Sequence, residues 1–93
     1  MALSAAEADE LLRALAHPVR RELLRACWHE PHSAGALTDA VGLAAASVSE
    51  HLKVLRKTGL LRLTKDGNFR RYEAEPARLA ALNAWLSTYF EEL

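Results

Sequence analysis

Two glycines, Gly42 and Gly59, leave room between them for one helix of about four turns and little else. Inside that interval Val48, Leu52 and Leu55 recur at i, i+4 and i+7, the spacing that puts apolar side chains on one face of a helix. Ala46, Glu50, Lys53 and Lys57 fall on the opposite face. The predicted helix runs from Ala44 or Ala45 to Thr58, and Gly59 supplies its left-handed stop. Immediately afterwards the period drops from 3.6 to 2: Leu61 and Leu63 alternate with Arg62 and Thr64. Asp66-Gly67 then reads as a hairpin turn between two strands.

Upstream, Ser33 can cap a short helix that carries Ala36, Leu37, Ala40 and Val41 and ends at Gly42. Two short helices joined by a tight glycine turn form a helix-turn-helix, whose second helix has the shape to enter a major groove. Ser4 with Glu7 makes a capping box for a first helix reaching about Leu15. Pro18 suits the first position of a second helix, with Val19, Leu23, Leu24 and Cys27 as its buried stripe. "EPHS" breaks that helix. Pro76 opens a last helix in which Leu79, Leu82, Leu86, Tyr89 and Leu93 keep 3-4-3-4 spacing. The expected fold is mainly α with a small β-hairpin wing, in the order α-α-α-α-β-β-α. At 93 residues it forms one domain, small enough that a second copy would add usefully to the buried core.

The zero net charge conceals an asymmetry. Residues 45–72 carry seven bases (Lys53, Arg56, Lys57, Arg62, Lys65, Arg70, Arg71) against Glu50 and Asp66, whereas the segments on both sides are net acidic. Phosphate neutralisation needs cations gathered on one face, and base reading needs short polar groups near a helix start. The candidate DNA-binding residues are therefore Ala46, Ser47, Ser49, Glu50, Lys53 and Lys57 on the helix, with Lys65, Arg70 and Arg71 on the wing. Glu50 opposes phosphate, so it reads cytosine or pairs with Lys53. His51 falls at the edge of the core-facing stripe and is expected to be packed and hydrogen-bonded.

"LLRALAHPVRRELLRAC" and "ALTDAVGLAAASVSEHLKVLRKTGLLRLTKDGNFRRYEA" resemble the ArsR (ArsR/SmtB) family of bacterial regulators over roughly residues 8 to 75, most specifically from Ser49 to Leu60. The resemblance implies a homodimeric repressor that binds double-stranded DNA at an inverted-repeat operator. It also implies that the first and last helices of two subunits cover each other, burying Leu3, Leu11, Leu82, Trp85, Leu86 and Tyr89. Ala45 and Ala46 depart from the family's polar residues there; alanine can touch a thymine methyl but forms no hydrogen bond to a base.

The family's metal sites lack their ligands here. The Cys-x-Cys positions fall near Ser33 and Gly35, and residues 76–93 contain no His, Cys or Asp. One cluster remains, "CWHEPH", with Cys27, His29, Glu30 and His32. We expect Cys27 to be a small buried hydrophobe and the histidines to lie in an exposed loop, with no cofactor and an unknown effector; a metal-responsive site at Cys27, His29 and His32 is the alternative. Trp85, Tyr89 and Phe90 read as a dimer seam in preference to a ligand pocket. A lone cysteine excludes an internal disulfide framework. No run of 18 apolar residues and no basic leader occurs, so we expect a cytoplasmic chain without membrane contact. No paired-carboxylate, Ser/His/Asp or phosphate-loop constellation supports an enzyme; the rival reading is a winged helix that binds a protein partner.

Overall fold

The structure, a computed structural model, describes residues 2–92. Among these, five helices and one hairpin follow in the order α1 (Ala5–Leu15), α2 (Pro18–Ala26), α3 (Ala34–Val41), α4 (Ala45–Lys57), β1 (Leu61–Asp66), β2 (Phe69–Ala74) and α5 (Pro76–Glu92). Serine caps begin two of them. Ser4 Oγ accepts from the Glu7 amide at 3.1 Å while the Glu7 carboxylate accepts from the Ser4 amide at 3.0 Å. Ser33 Oγ accepts from the Ala36 amide at 3.1 Å. Gly42 ends α3 with φ 67°, the left-handed conformation that favours glycine.

Leu23 of α2, Leu37 of α3 and Val48, Leu52 and Leu55 of α4 are all nearly inaccessible and, with Leu11, Leu60 and Leu61, make the core. α2, α3 and α4 each contact the other two, so α4 is held from behind by apolar burial. Thr58 is buried without cost because its hydroxyl donates to the Val54 carbonyl at 3.0 Å.

The hairpin pairs β1 with β2 antiparallel, Leu61 opposite Ala74 through Asp66 opposite Phe69. This shifts the expected turn by one position: Asp66 is the last residue of its strand, and Gly67-Asn68 makes the two-residue turn. Gly67, at φ 62°, supplies the positive φ, and Asn68 keeps a negative one, as a II′ geometry requires. The "EPHS" segment does more than break a helix. His32 exchanges backbone hydrogen bonds with Tyr72 at 2.9 and 2.7 Å, adding a one-residue rung to the free edge of β2.

α5 projects from this body. Leu82 is its only buried residue among those described, while Leu86, Tyr89 and Phe90 are 37, 55 and 78% exposed. The longest dimension reaches 47 Å against 26 and 21 Å for the others. Leu93, the last residue of the apolar repeat, lies outside the described residues. Two of the expected interface residues are corrected: Leu11 and Leu82, 0 and 3% exposed, pack into this chain's own core, Leu11 offering no surface to a second copy and Leu82 only a trace at the floor of an apolar trough. The reason lies in the α1–α5 packing, which draws the inner half of each apolar stripe into the subunit. No helix among the described residues is long and apolar enough to cross a membrane.

Candidate nucleic-acid interface

α4 turns its core stripe inward, and Ala46, Ser47, Ser49, Glu50, Lys53 and Lys57 are all exposed. Its N-cap, Ala44, makes no side-chain hydrogen bond, in contrast to Ser4 and Ser33. The first-turn amides of α4 therefore remain available to an external acceptor, in line with the partial positive charge of a helix N-terminus. A notch walled by Thr38 and Asp39 of α3, Ala45 and Ser49 of α4 and Tyr72 of β2 brings the start of α4 beside the wing.

The wing divides electrically along its length. Near its base, Arg62 Nε donates to Glu73 at 2.8 Å and Nη1 lies 3.1 Å from Glu75, so these charges cancel. The paired carboxylates also hold the Arg62 guanidinium above its ordinary pKa, the hydrogen bond to Glu73 contributing most. Near the turn, Lys65 stands directly across from Arg70, and Arg71 across from Thr64; all three bases are exposed. Like charges facing each other across two strands destabilise a hairpin. A polyanion laid on that end would remove the repulsion.

Among the described residues no carboxylate lies within 4.0 Å of Lys53, Lys57, Lys65, Arg70 or Arg71; the ion pairs are confined to His32, Arg62 and Arg78. Of the two readings of Glu50, the pair with Lys53 is absent from those ion pairs, which leaves Glu50 as an exposed acceptor on the outer face of α4.

Two residues that sequence reasoning missed stand behind this surface. Arg20 of α2 donates through Nε to His51 Nδ1 at 3.1 Å, and the His17 ring lies 5.9 Å from the His51 ring. Accepting at Nδ1 requires an unprotonated imidazole. Loss of hydration lowers the His51 pKa first, and the nearby Arg20 and His17 charges lower it further. The only available signal was the position of His51 at the stripe edge, where a half-buried imidazole needs a donor from another element.

"CWHEPH" does not assemble into a ligand set. Cys27 is 1% exposed in the core, burial pushes its thiol up to about 11, and His29 is exposed. The backbone rung with Tyr72 fixes His32 at the wing edge, where Nε2 lies 3.7 Å from Glu30. No group of three His, Cys, Asp or Glu side chains that could hold a metal occurs among the described residues, so the metal-responsive alternative at Cys27, His29 and His32 is without a geometric basis.

An α3–turn–α4 pair, a cationic hairpin and exposed polar groups on the second helix define a winged helix-turn-helix protein. A helix-turn-helix domain family matches residues 15–64, more than half of the chain. The HTH-type transcriptional regulator YgaV of Escherichia coli is 34% identical over 88 residues, spanning 94% of this chain and 89% of YgaV. An ArsR-like transcriptional regulator from Rhodococcus sp. RHA1 superposes with a TM-score of 0.87 at 28% identity, covering 94% of this chain and 82% of that one. The transcriptional repressor BigR from Xylella fastidiosa superposes with a TM-score of 0.69 at 31% identity, covering 90 and 89% of the two chains. The chain belongs to the ArsR family of winged helix-turn-helix transcriptional regulators; it is a DNA-binding protein and not an enzyme.

Proposed function

We propose that residues 1–93 form a single domain acting as a homodimeric repressor, one α4 from each subunit entering successive major grooves of an inverted-repeat operator. Such half-sites lie roughly 34–36 Å apart. The observation that carries this reading is that Lys53, Lys57, Lys65, Arg70 and Arg71 are all exposed and, among the described residues, without a carboxylate partner, with Lys65 facing Arg70 across the hairpin. Lys53 and Lys57 neutralise phosphate, Ser47, Ser49 and Glu50 contact base edges, Ala46 contacts a thymine methyl, and the wing bases flank the groove. The relation to BigR, a transcriptional repressor, supports repression as the direction of control.

Dimerisation is supported by the exposed apolar faces of α1 and α5. Leu12 and Leu86, 40 and 37% exposed, border one continuous apolar trough, and Trp85 and Tyr89 meet edge-on at 5.5 Å beside it. A face of this kind on a chain of this size calls for a cover. Leu3, Trp85, Leu86 and Tyr89, joined by Leu12, are the proposed contact residues.

The test is fluorescence anisotropy with DNA from upstream of the protein's own gene, across salt concentrations and with or without Zn²⁺ or Ni²⁺, alongside sedimentation equilibrium. Tight, steeply salt-dependent binding of two subunits, unchanged by metal, is expected. Affinity no better than for random DNA would displace the autorepressor reading and favour another operator or a protein partner. Binding that metal abolishes would reopen the sensor question.

A further inference from the structure

The second apolar surface lies where α1, α2 and α5 converge, and its chemistry differs from that of the interface trough. A pocket of about 410 Å³ is floored by Leu15, Leu24 and Leu79, walled by the Trp28 indole, and rimmed by Arg21 and Arg25. That volume falls within the range of roughly 300–1,000 Å³ typical of small-molecule sites. Through Leu15, Trp28 and Leu79 it opens into a second apolar channel of about 660 Å³ that runs past Leu12 and Leu86.

Arg21 and Arg25 stand one turn apart on α2, so their side chains neighbour each other. Among the described residues neither guanidinium has a carboxylate within 4.0 Å. Arg21 spends one donor, Nη1, on the Leu15 carbonyl at 2.7 Å, which fixes its position and leaves the rest of the fork available. Arg25 makes no side-chain hydrogen bond within the described chain. Two adjacent uncompensated cations at the mouth of an apolar pocket match a ligand with one anionic end and one apolar body. Guanidinium forks match a carboxylate in geometry as well as in charge.

We propose that this pocket binds an amphipathic monocarboxylate, its head between Arg21 and Arg25 and its aliphatic chain over Leu15, Leu24, Trp28 and Leu79, short of the Leu12–Leu86 contact. The inference goes beyond the DNA-binding reading and does not depend on it. The second copy proposed above covers the adjoining Leu12–Leu86 channel; to occupy this pocket as well it would have to bring a carboxylate to satisfy the arginine rim.

The experiment titrates decanoate, below its micellar concentration, into the wild-type full chain by isothermal titration calorimetry. A saturable heat, accompanied by a change in tryptophan emission, is expected. Decanol, with the same chain and no carboxylate, should bind at least about tenfold more weakly, and Arg25→Ala should weaken decanoate by a similar factor. Arg25 is exposed and its side chain holds nothing else together, so the variant should keep its circular dichroism; Arg25→Lys should recover part of the affinity. Three results would overturn the proposal. They are no saturable signal, equal affinity for decanol, and decanoate binding that appears only as sedimentation shows subunits separating, which would give the pocket to a second copy.

Discussion

Arg20 and His51 join α2 to α4 through a single side-chain hydrogen bond, Nε to Nδ1 at 3.1 Å. Behind it, these helices are held by apolar packing of Leu23 against the Val48–Leu52–Leu55 stripe, which resists separation but permits sliding. The directional bond adds register. It exists only while His51 is neutral, which makes it sensitive to pH.

The sign follows from linkage. The folded protein holds His51 below its ordinary value near 6.5, so the unfolded chain takes up the proton first as pH falls. The contribution of the neutral contact is fully present above about pH 6.5 and declines as pH drops below that toward the lowered folded value. Urea unfolding at pH 7.5 and 5.5 should show a loss in wild type that is smaller in His51→Gln. Arg20→Ala should raise the His51 pKa measured by NMR, because one repelling charge disappears while the burial remains. Equal losses in wild type and His51→Gln would refute this account.

Gly42 and Gly59 both adopt positive φ, 67° and 81°, but they differ in surroundings. Nothing lies within 4 Å of a Cβ at Gly42, whereas one at Gly59 would meet Arg78 at 3.3 Å. Arg78 cannot withdraw freely, since its Nε donates to the Thr58 carbonyl at 3.0 Å. Gly42→Ala should cost about 1 kcal/mol, from the backbone conformation alone, and Gly59→Ala distinctly more. Urea unfolding of the two variants decides it, and equal costs would mean that Arg78 yields at no expense.

The positions most legible in the sequence were those where one local rule acted alone. Ser4 with Glu7, Ser33, Gly42 and Gly59 fixed helix ends, and Val48, Leu52 and Leu55 fixed which face of α4 turns inward. Exposure of the candidate DNA-contacting residues on α4 followed from that phase. What escaped were relations set by tertiary neighbours. The His32–Tyr72 rung joins residues 40 apart, the Arg20–His51 bond joins residues 31 apart, and neither has a periodic signature. Leu11 and Leu82 looked like interface residues because a stripe shared between core and partner has the same spacing throughout. The neutralisation of Arg62 depends on strand register, which composition does not contain.

Cys27 should behave as a packing residue. With its thiol raised to about 11 from 9.0 by burial, the thiolate fraction at pH 8 is roughly a hundredfold lower than for an unshifted group. Native protein should therefore react with a thiol reagent at least about 100-fold more slowly than urea-unfolded protein, by absorbance with a chromogenic disulfide. Comparable rates would show that the site opens readily and would restore a redox role to consideration.

The division of the wing gives the sharpest test of the interface. Lys53, Arg70 and Arg71 have no intramolecular carboxylate partner among the described residues, so each can release counterions from DNA, whereas Arg62 is already shared between Glu73 and Glu75. Each of Lys53→Ala, Arg70→Ala and Arg71→Ala should reduce the magnitude of the slope of log K against log salt by about 0.9 for every phosphate that the substitution leaves unneutralised in each subunit. Arg62→Ala should leave that slope unchanged, even if affinity falls through the two carboxylates it exposes. The comparison separates a cation that touches phosphate from one that merely adds to the local field, because only the first displaces bound counterions. If Arg62→Ala flattened the salt dependence as much as Arg70→Ala, the base of the hairpin would have to lie on the DNA, with the Glu73 and Glu75 pairs broken on binding.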